Sequence, residues 1–138
     1  MTISHEHAQP IARYMTMSPH SIGLEQPLDV AHRMMREHAI RHLPVLEGGK
    51  LVGILSQRDL YLIETLEPLD TRAVRVEEAM TQDIYVVGPQ ESLESVVSTM
   101  AERKLGCAVV MDGPGVVGIF TTIDALRALA YLIHESPS

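Results

Sequence analysis

The sequence repeats itself at a spacing of 65 residues, and this repeat narrows the folds open to the chain more than any other feature. Gly53-Ile54-Leu55-Ser56-Gln57-Arg58-Asp59 returns as Gly118-Ile119-Phe120-Thr121-Thr122-Ile123-Asp124. Aligning Met15-Thr16 with Met80-Thr81 carries one register without a gap to Asp59 and Asp124. Twelve paired positions are identical, among them Gly23/Gly88, Leu28/Leu93, Met35/Met100, Val45/Val110 and Gly48/Gly113. A register held that long marks an internal duplication, and two copies are too few for a solenoid, which needs about three or more. Two halves related by a pseudo-twofold axis are expected instead.

Each copy reads β-α-β-β-α. A short extended piece, Ser21-Ile22 or Tyr85-Val86-Val87, ends at a glycine. A helix follows. Pro27 suits its first position in copy one, and Leu28, Ala31, Met35 and Ala39 recur at helical spacing, as do Leu93, Val96, Val97 and Met100 in copy two. The first helix is expected to end near Ala39 to Ile40. Next comes a hairpin, Leu43–Leu46 and Leu51–Leu55 around Glu47-Gly48-Gly49-Lys50, matched by Ala108–Met111 and Val116–Phe120 around Asp112-Gly113-Pro114-Gly115. The glycines supply the positive φ such turns need. These strands are almost wholly apolar, so both faces are expected to be buried. A last helix starts near Ser56 or Thr121. Residues 10–66 thus form repeat 1, 67–75 a linker and 76–134 repeat 2. Residues 1–9 and 135–138 are polar and expected to be loose. Ile11–Met15 and Val76–Met80 read as lead-in turns.

With 46% apolar residues, the chain has ample material for a core, built from aliphatic side chains and eight Met because aromatics are scarce. Its net charge of −7 opposes nonspecific binding to nucleic acid and to anionic membranes. Cys107 is the single cysteine, which excludes an intrachain disulfide framework and fits a reducing cytoplasm. No basic start leads into an apolar segment, and no apolar run approaches the roughly 20 residues of a membrane span. A soluble cytoplasmic protein is expected.

The order of elements and five motifs together resemble the CBS domain family. The motifs are the Met-Thr lead-in, Leu43-Pro44-Val45-Leu46, the Gly-Gly turn, Leu51-Val52-Gly53-Ile54 and the closing Ser/Thr-x-x-Asp. Two such domains make a Bateman module. The resemblance covers residues 10 to 134 and implies a stand-alone α/β disc with clefts between the repeats. It further implies an adenosine ligand (AMP, ADP or ATP, with S-adenosylmethionine or a cyclic dinucleotide as alternatives), a regulatory rather than catalytic role, and a flat homodimer. The apolar last helix, Ala125 to Ile133, with Met34 or Met100, offers a dimer face.

On this resemblance Asp59 and Asp124 accept hydrogen bonds from ribose hydroxyls, a charge-assisted interaction. Ser56, Thr121 and Thr122 stand where helix N–H groups favour phosphate. The residues alone support another reading, in which Ser56 and Thr121 are N-caps and each Asp favours the first helical turn. Gly53 and Gly118 permit close approach, of a ligand or of packed backbone. Ile22, Val87, Leu43 and Ala108, with Pro44 and Cys107 beside them, occupy strand positions where the family sandwiches adenine; each is equally an ordinary core position. Arg41-His42 and Arg58 are candidate phosphate partners, as is Lys104. Repeat 2 has Gly106-Cys107 and Ile123 at the matching places, so unequal sites are expected.

Seven histidines raise the question of metal. His5-Glu6-His7 is a weak ligand set, and the helix end between His38 and His42 spoils their four-residue alignment, so no metal site is expected. Cys107 has no base beside it in sequence and reads as a small core residue rather than a nucleophile. No serine triad, carboxylate dyad or P-loop is present. The function expected is therefore a nucleotide sensor for an unidentified regulated protein. Its rivals are a partner-binding module with degenerate clefts, an enzyme built across a dimer, and a nucleic-acid binder.

Overall fold

The computed structural model describes residues 9–66 and 70–135. Most of the termini expected to be loose, the His5-Glu6-His7 set and residues 67–69 of the expected linker lie outside the described residues. The chain divides into two compact units, one of residues 19–84 and one that joins 9–18 to 85–135.

The first unit contains β2 (Ile22–Gly23), α1 (Leu28–His38), β3 (His42–Glu47), β4 (Lys50–Ser56), α2 (Gln57–Leu66) and α3 (Val76–Ala79). The second contains a 3-10 turn (Ile11–Arg13), β1 (Thr16–Met17), β5 (Val86–Val87), α4 (Leu93–Arg103), β6 (Cys107–Asp112), β7 (Gly115–Thr121) and α5 (Thr122–Glu135). The first sheet runs β2-β3-β4 and the second β1-β7-β6-β5. β2 pairs parallel to β3 and β5 parallel to β6. A parallel pair needs a long crossover, which α1 and α4 provide. The hairpins are antiparallel, as their short glycine turns require. Gly48 (φ 55°), Gly49 (φ 81°) and Gly113 (φ 62°) take the left-handed backbone that the turns demand.

The strand pattern follows from burial on both faces. Leu43, Val45 and Leu55 join Leu28, Ala31, Met35 and Leu60 in the core of the first unit. Ala108, Val110 and Phe120 join Val96, Met100 and Ala128 in that of the second. The alternate residues Pro44, Ile54, Val109 and Ile119 point to the opposite sheet faces and are buried too. α1 ends at Ala39 and α4 at Lys104, both left-handed C-caps (φ 53° and 58°). Pro27 falls one place earlier than expected, at the N-cap in extended conformation. The first α1 amides still find partners, Leu28 N donating to Val74 O (2.9 Å) and Asp29 N to Thr71 O (3.2 Å). In α4 the Ser92 side chain caps Ser95 N, and Leu93 N donates to Gln9 O (2.6 Å).

The sequence repeats and the compact units do not share boundaries. Residues 9–18, the lead-in of repeat 1, pack with the strands of repeat 2. Residues 76–84, the lead-in of repeat 2, pack with those of repeat 1. Thr16 pairs with Ile119 across β1 and β7, and Thr81 bridges Ile54 in the same manner. Neither pairing is visible in the sequence, because two-residue strands carry no periodicity.

Candidate functional site

The duplicated Gly-x-x-Ser/Thr-x-x-Asp segment forms the junction from β4 to α2 and from β7 to α5. Each junction closes as a reciprocal cap. Ser56 N donates to Asp59 Oδ2 (2.9 Å) while Asp59 N donates to Ser56 Oγ (3.0 Å). Thr121 N donates to Asp124 Oδ2 (2.9 Å) and Asp124 N to Thr121 Oγ1 (3.3 Å). Two helix-start donors are thereby satisfied at each junction. Gln57 N donates to Arg41 O (2.8 Å), and Thr122 donates from N (3.1 Å) and Oγ1 (3.3 Å) to Gly106 O. Ser56 and Thr121 therefore act as N-caps, one of the two readings their positions allowed.

The two glycines owe their place to the exchanged lead-ins. A Cβ on Gly53 would lie 2.6 Å from Met80 Sδ and 3.1 Å from Thr81 O. A Cβ on Gly118 would collide with the Met15 side chain. Each glycine sits opposite Val45 or Val110, where the ladder shifts register. The threonine after each methionine then reaches the aspartate. Thr16 Oγ1 lies 3.1 and 3.3 Å from the two Asp124 oxygens, and Thr81 Oγ1 lies 3.4 Å from Asp59 Oδ1. Sequence reasoning recorded Met-Thr as a motif but gave it no place at the site. The signal was its identity in both copies; the contact spans 108 residues in one case.

The apolar candidates take the core positions that were one of their two readings. Leu43 and Ala108 are fully buried, and Ile22 and Val87 nearly so, all within the helix-covered cores. Pro44 is buried on the other face of β3. Ile22, Leu43, Val87 and Ala108 thus serve as core. Cys107 is half-buried opposite Thr121 at the start of β6.

Both junctions carry charge, but of different origin: Arg41, His42 and Arg58 lie at the first, and Arg127 stands 3.9 Å from Asp124 Oδ1 at the second. His42 is half-buried opposite Ser56. Burial holds its pKa below the ordinary 6.5; nearby Asp59 opposes the shift and Arg41 adds to it. Arg41 and Arg58 are exposed on either side. Lys104, the other cation considered, is the C-cap of α4. Arg41, His42, Ser56 and Asp59 therefore form one cluster, able to offer a cation, an imidazole, a hydroxyl and a carboxylate to one ligand. The second junction presents Gly106, Cys107, Thr121 and Asp124. Among the described residues no group of three or more His, Cys, Asp or Glu is placed to hold a metal ion. None of the helices described is long and apolar enough to cross a membrane.

Comparison with known proteins agrees with this duplicated architecture. The model of the CBS domain matches residues 11–63 and again 76–131. The chain is 35% identical over 111 residues to an inosine-5'-monophosphate dehydrogenase of Korarchaeum cryptofilum, matching 80% of this chain but only 21% of the enzyme. It is 30% identical over 110 residues to the CBS domain-containing protein YhcV of Bacillus subtilis, matching 80% of this chain and 78% of that one. Among solved structures, the CBS domain pair of MJ0100 superposes with a TM-score of 0.80 at 24% identity, covering 90% of this chain and 98% of the other. That pair was solved with 5'-methylthioadenosine and S-adenosyl-L-methionine. CBSX2, solved with AMP, superposes with a TM-score of 0.79 at 22% identity, covering 89% and 97%.

Proposed function

The chain belongs to the CBS domain family as a tandem pair, and from that premise we propose that it is a regulatory module that binds an adenosine nucleotide. The observation that carries the reading is the cluster at the β4–α2 junction. Asp59 suits the ribose hydroxyls, since a carboxylate accepts charge-assisted hydrogen bonds. Arg41, Arg58 and His42 suit a phosphate, which Arg binds in a bidentate fork. Phosphate recognition favours AMP, ADP or ATP over S-adenosylmethionine, which bears no phosphate. The fold hosts adenosine compounds in the MJ0100 pair and in CBSX2, which supports the class of ligand rather than its identity. Binding acts as a signal only if one conformer takes the ligand better than another; a partner protein then reads the shift.

The opposing reading, a partner-binding module with no ligand, has one observation in its favour. The apolar side chains expected to sandwich adenine are packed into the cores. Calorimetric titration with AMP and with adenosine separates the two readings. Tighter binding of AMP than of adenosine, with the difference lost in Arg41→Ala, supports the nucleotide module. Heat from neither ligand supports the partner-binding module.

A further inference from the structure

We infer that the groove between the lead-in of residues 9–18 and α5 is a docking site for an extended acidic segment of a partner protein. The groove lies wholly within the second unit. The inference stands whether or not a nucleotide binds at the junctions.

Shape and charge carry the argument. The groove is open, holds about 750 Å³ and follows α5 from Asp124 to Glu135. That stretch of helix is about 16 Å long, the reach of about five residues of extended chain. A long open trough suits a peptide better than a compact small molecule, which its pocket encloses on most sides. Arg13 and Tyr14 line the lead-in side, Arg127 and Tyr131 the helix side. The Arg127 side chain is 76% exposed, and its nearest carboxylate oxygen, Asp124 Oδ1, stands at 3.9 Å, beyond hydrogen-bond reach. Asp124 itself accepts from Thr16 and Thr121. Arg13 Nη1 donates to Gln9 Oε1 (2.8 Å), its one hydrogen bond among the described residues, so most of its N–H groups are open. A guanidinium fork takes a carboxylate through two parallel bonds. Successive side chains of an extended peptide point to opposite sides, so two neighbouring carboxylates address the two walls.

Tyr14 and Tyr131 meet edge to face, their ring centroids 6.4 Å apart. Tyr131 is still 56% exposed. A ring with an apolar face and a polar tip is well suited to cover a peptide. Glu135, the other carboxylate of the groove, makes no ion pair among the described residues, and its end suits an uncharged residue. Two comparisons within the chain set the groove apart. The positions that match Arg13, Tyr14 and Arg127 in the other copy hold Glu78, Ala79 and Leu62. The cations and the tyrosine are thus particular to one copy and do not follow from the duplicated fold. The exposed apolar stripe Leu126, Leu129 and Ile133 lies roughly 150° around α5 from Arg127 and Tyr131, so contacts through that stripe leave the groove open. The net charge of −7 opposes nucleic acid as the anionic partner.

Fluorescence anisotropy on the full chain tests this with two labelled peptides of about seven residues. One carries two adjacent glutamates among leucines and serines; the other has lysines in their place. The glutamate peptide is expected to bind and the lysine peptide not. Arg13→Glu and Arg127→Glu each weaken the glutamate peptide by at least about tenfold. Arg36→Glu, on the exposed side of α1, leaves it within about twofold. If a charge reversal fails to fold, amide chemical shifts of the unmodified chain decide the matter. The glutamate peptide is expected to move Arg13, Tyr14, Arg127 and Tyr131. No binding of the glutamate peptide, equal binding of both peptides, an affinity unmoved by either reversal, or shifts confined to other residues overturns the inference. So does a single-stranded oligonucleotide that displaces the glutamate peptide from the groove, because it assigns the cations to nucleic acid.

Discussion

Gly53 sits under a methionine, and that contact explains why the position admits no side chain. A methyl group there meets Met80 Sδ at 2.6 Å and the Thr81 carbonyl at 3.1 Å. The sulfur can move but the backbone oxygen is held, with Thr81 N and O both bonded to Ile54 (2.9 Å each). Gly53→Ala is therefore expected to cost about 1–3 kcal/mol, the usual range for overpacking, as a lower melting temperature. His42 gives a prediction in pH. Its folded pKa lies below the ordinary 6.5, chiefly through burial. As pH falls the unfolded chain takes up this proton first, so stability is fully present above about 6.5 and is lost as pH drops towards the folded value. His42→Gln flattens this decline in melting temperature; an unchanged decline contradicts the assignment. At this scale the glycines, hydroxyls and carboxylates were legible because they recur in register. Their partners Met15, Thr16, Met80 and Thr81 were not placed, since nothing local records a contact made so far along the chain.

The elements were legible wherever periodicity or turn chemistry ran long enough. The Leu28, Ala31, Met35 pattern located α1, and Gly48-Gly49 located the first hairpin. β1 and α3 were too short to show a period, and so the exchange of lead-ins between units did not emerge. Helix ends provide a further test. Ala39 and Lys104 hold left-handed backbone at φ 53° and 58°, where a Cβ costs about 1–2 kcal/mol and glycine costs nothing. Ala39→Gly and Lys104→Gly are each expected to raise the denaturation midpoint, by up to about 1 kcal/mol after the entropy of glycine in the unfolded chain is charged. Ser92→Ala removes the cap on Ser95 N (3.1 Å) and is expected to lower stability by about 1 kcal/mol.

For the molecule as a whole, α5 exposes Ile123, Leu126, Leu129 and Ile133, and α2 exposes Tyr61 and Leu62. Apolar patches on an otherwise charged surface are the kind of surface that interaction sites use, here on a chain with net charge −7. We propose a homodimer through α5, with Leu126→Glu and Leu129→Glu together shifting the sedimentation coefficient from dimer to monomer. The two-copy architecture was readable from the repeat, and the family from the order of elements with the five motifs. The inequality of the copies was only partly so: the missing cations of repeat 2 were visible, whereas the bonds of Thr16 and Thr121 to Asp124 required the fold. The central claim is that an adenosine nucleotide binds this module. A thermal-shift series with AMP, ADP, ATP, S-adenosylmethionine and cyclic di-AMP tests it most directly. At about 100 times Kd a ligand adds about 2.7 kcal/mol, a rise of several degrees in a domain of this size. A rise with at least one of AMP, ADP and ATP is predicted; an unchanged melting temperature with all five contradicts the account.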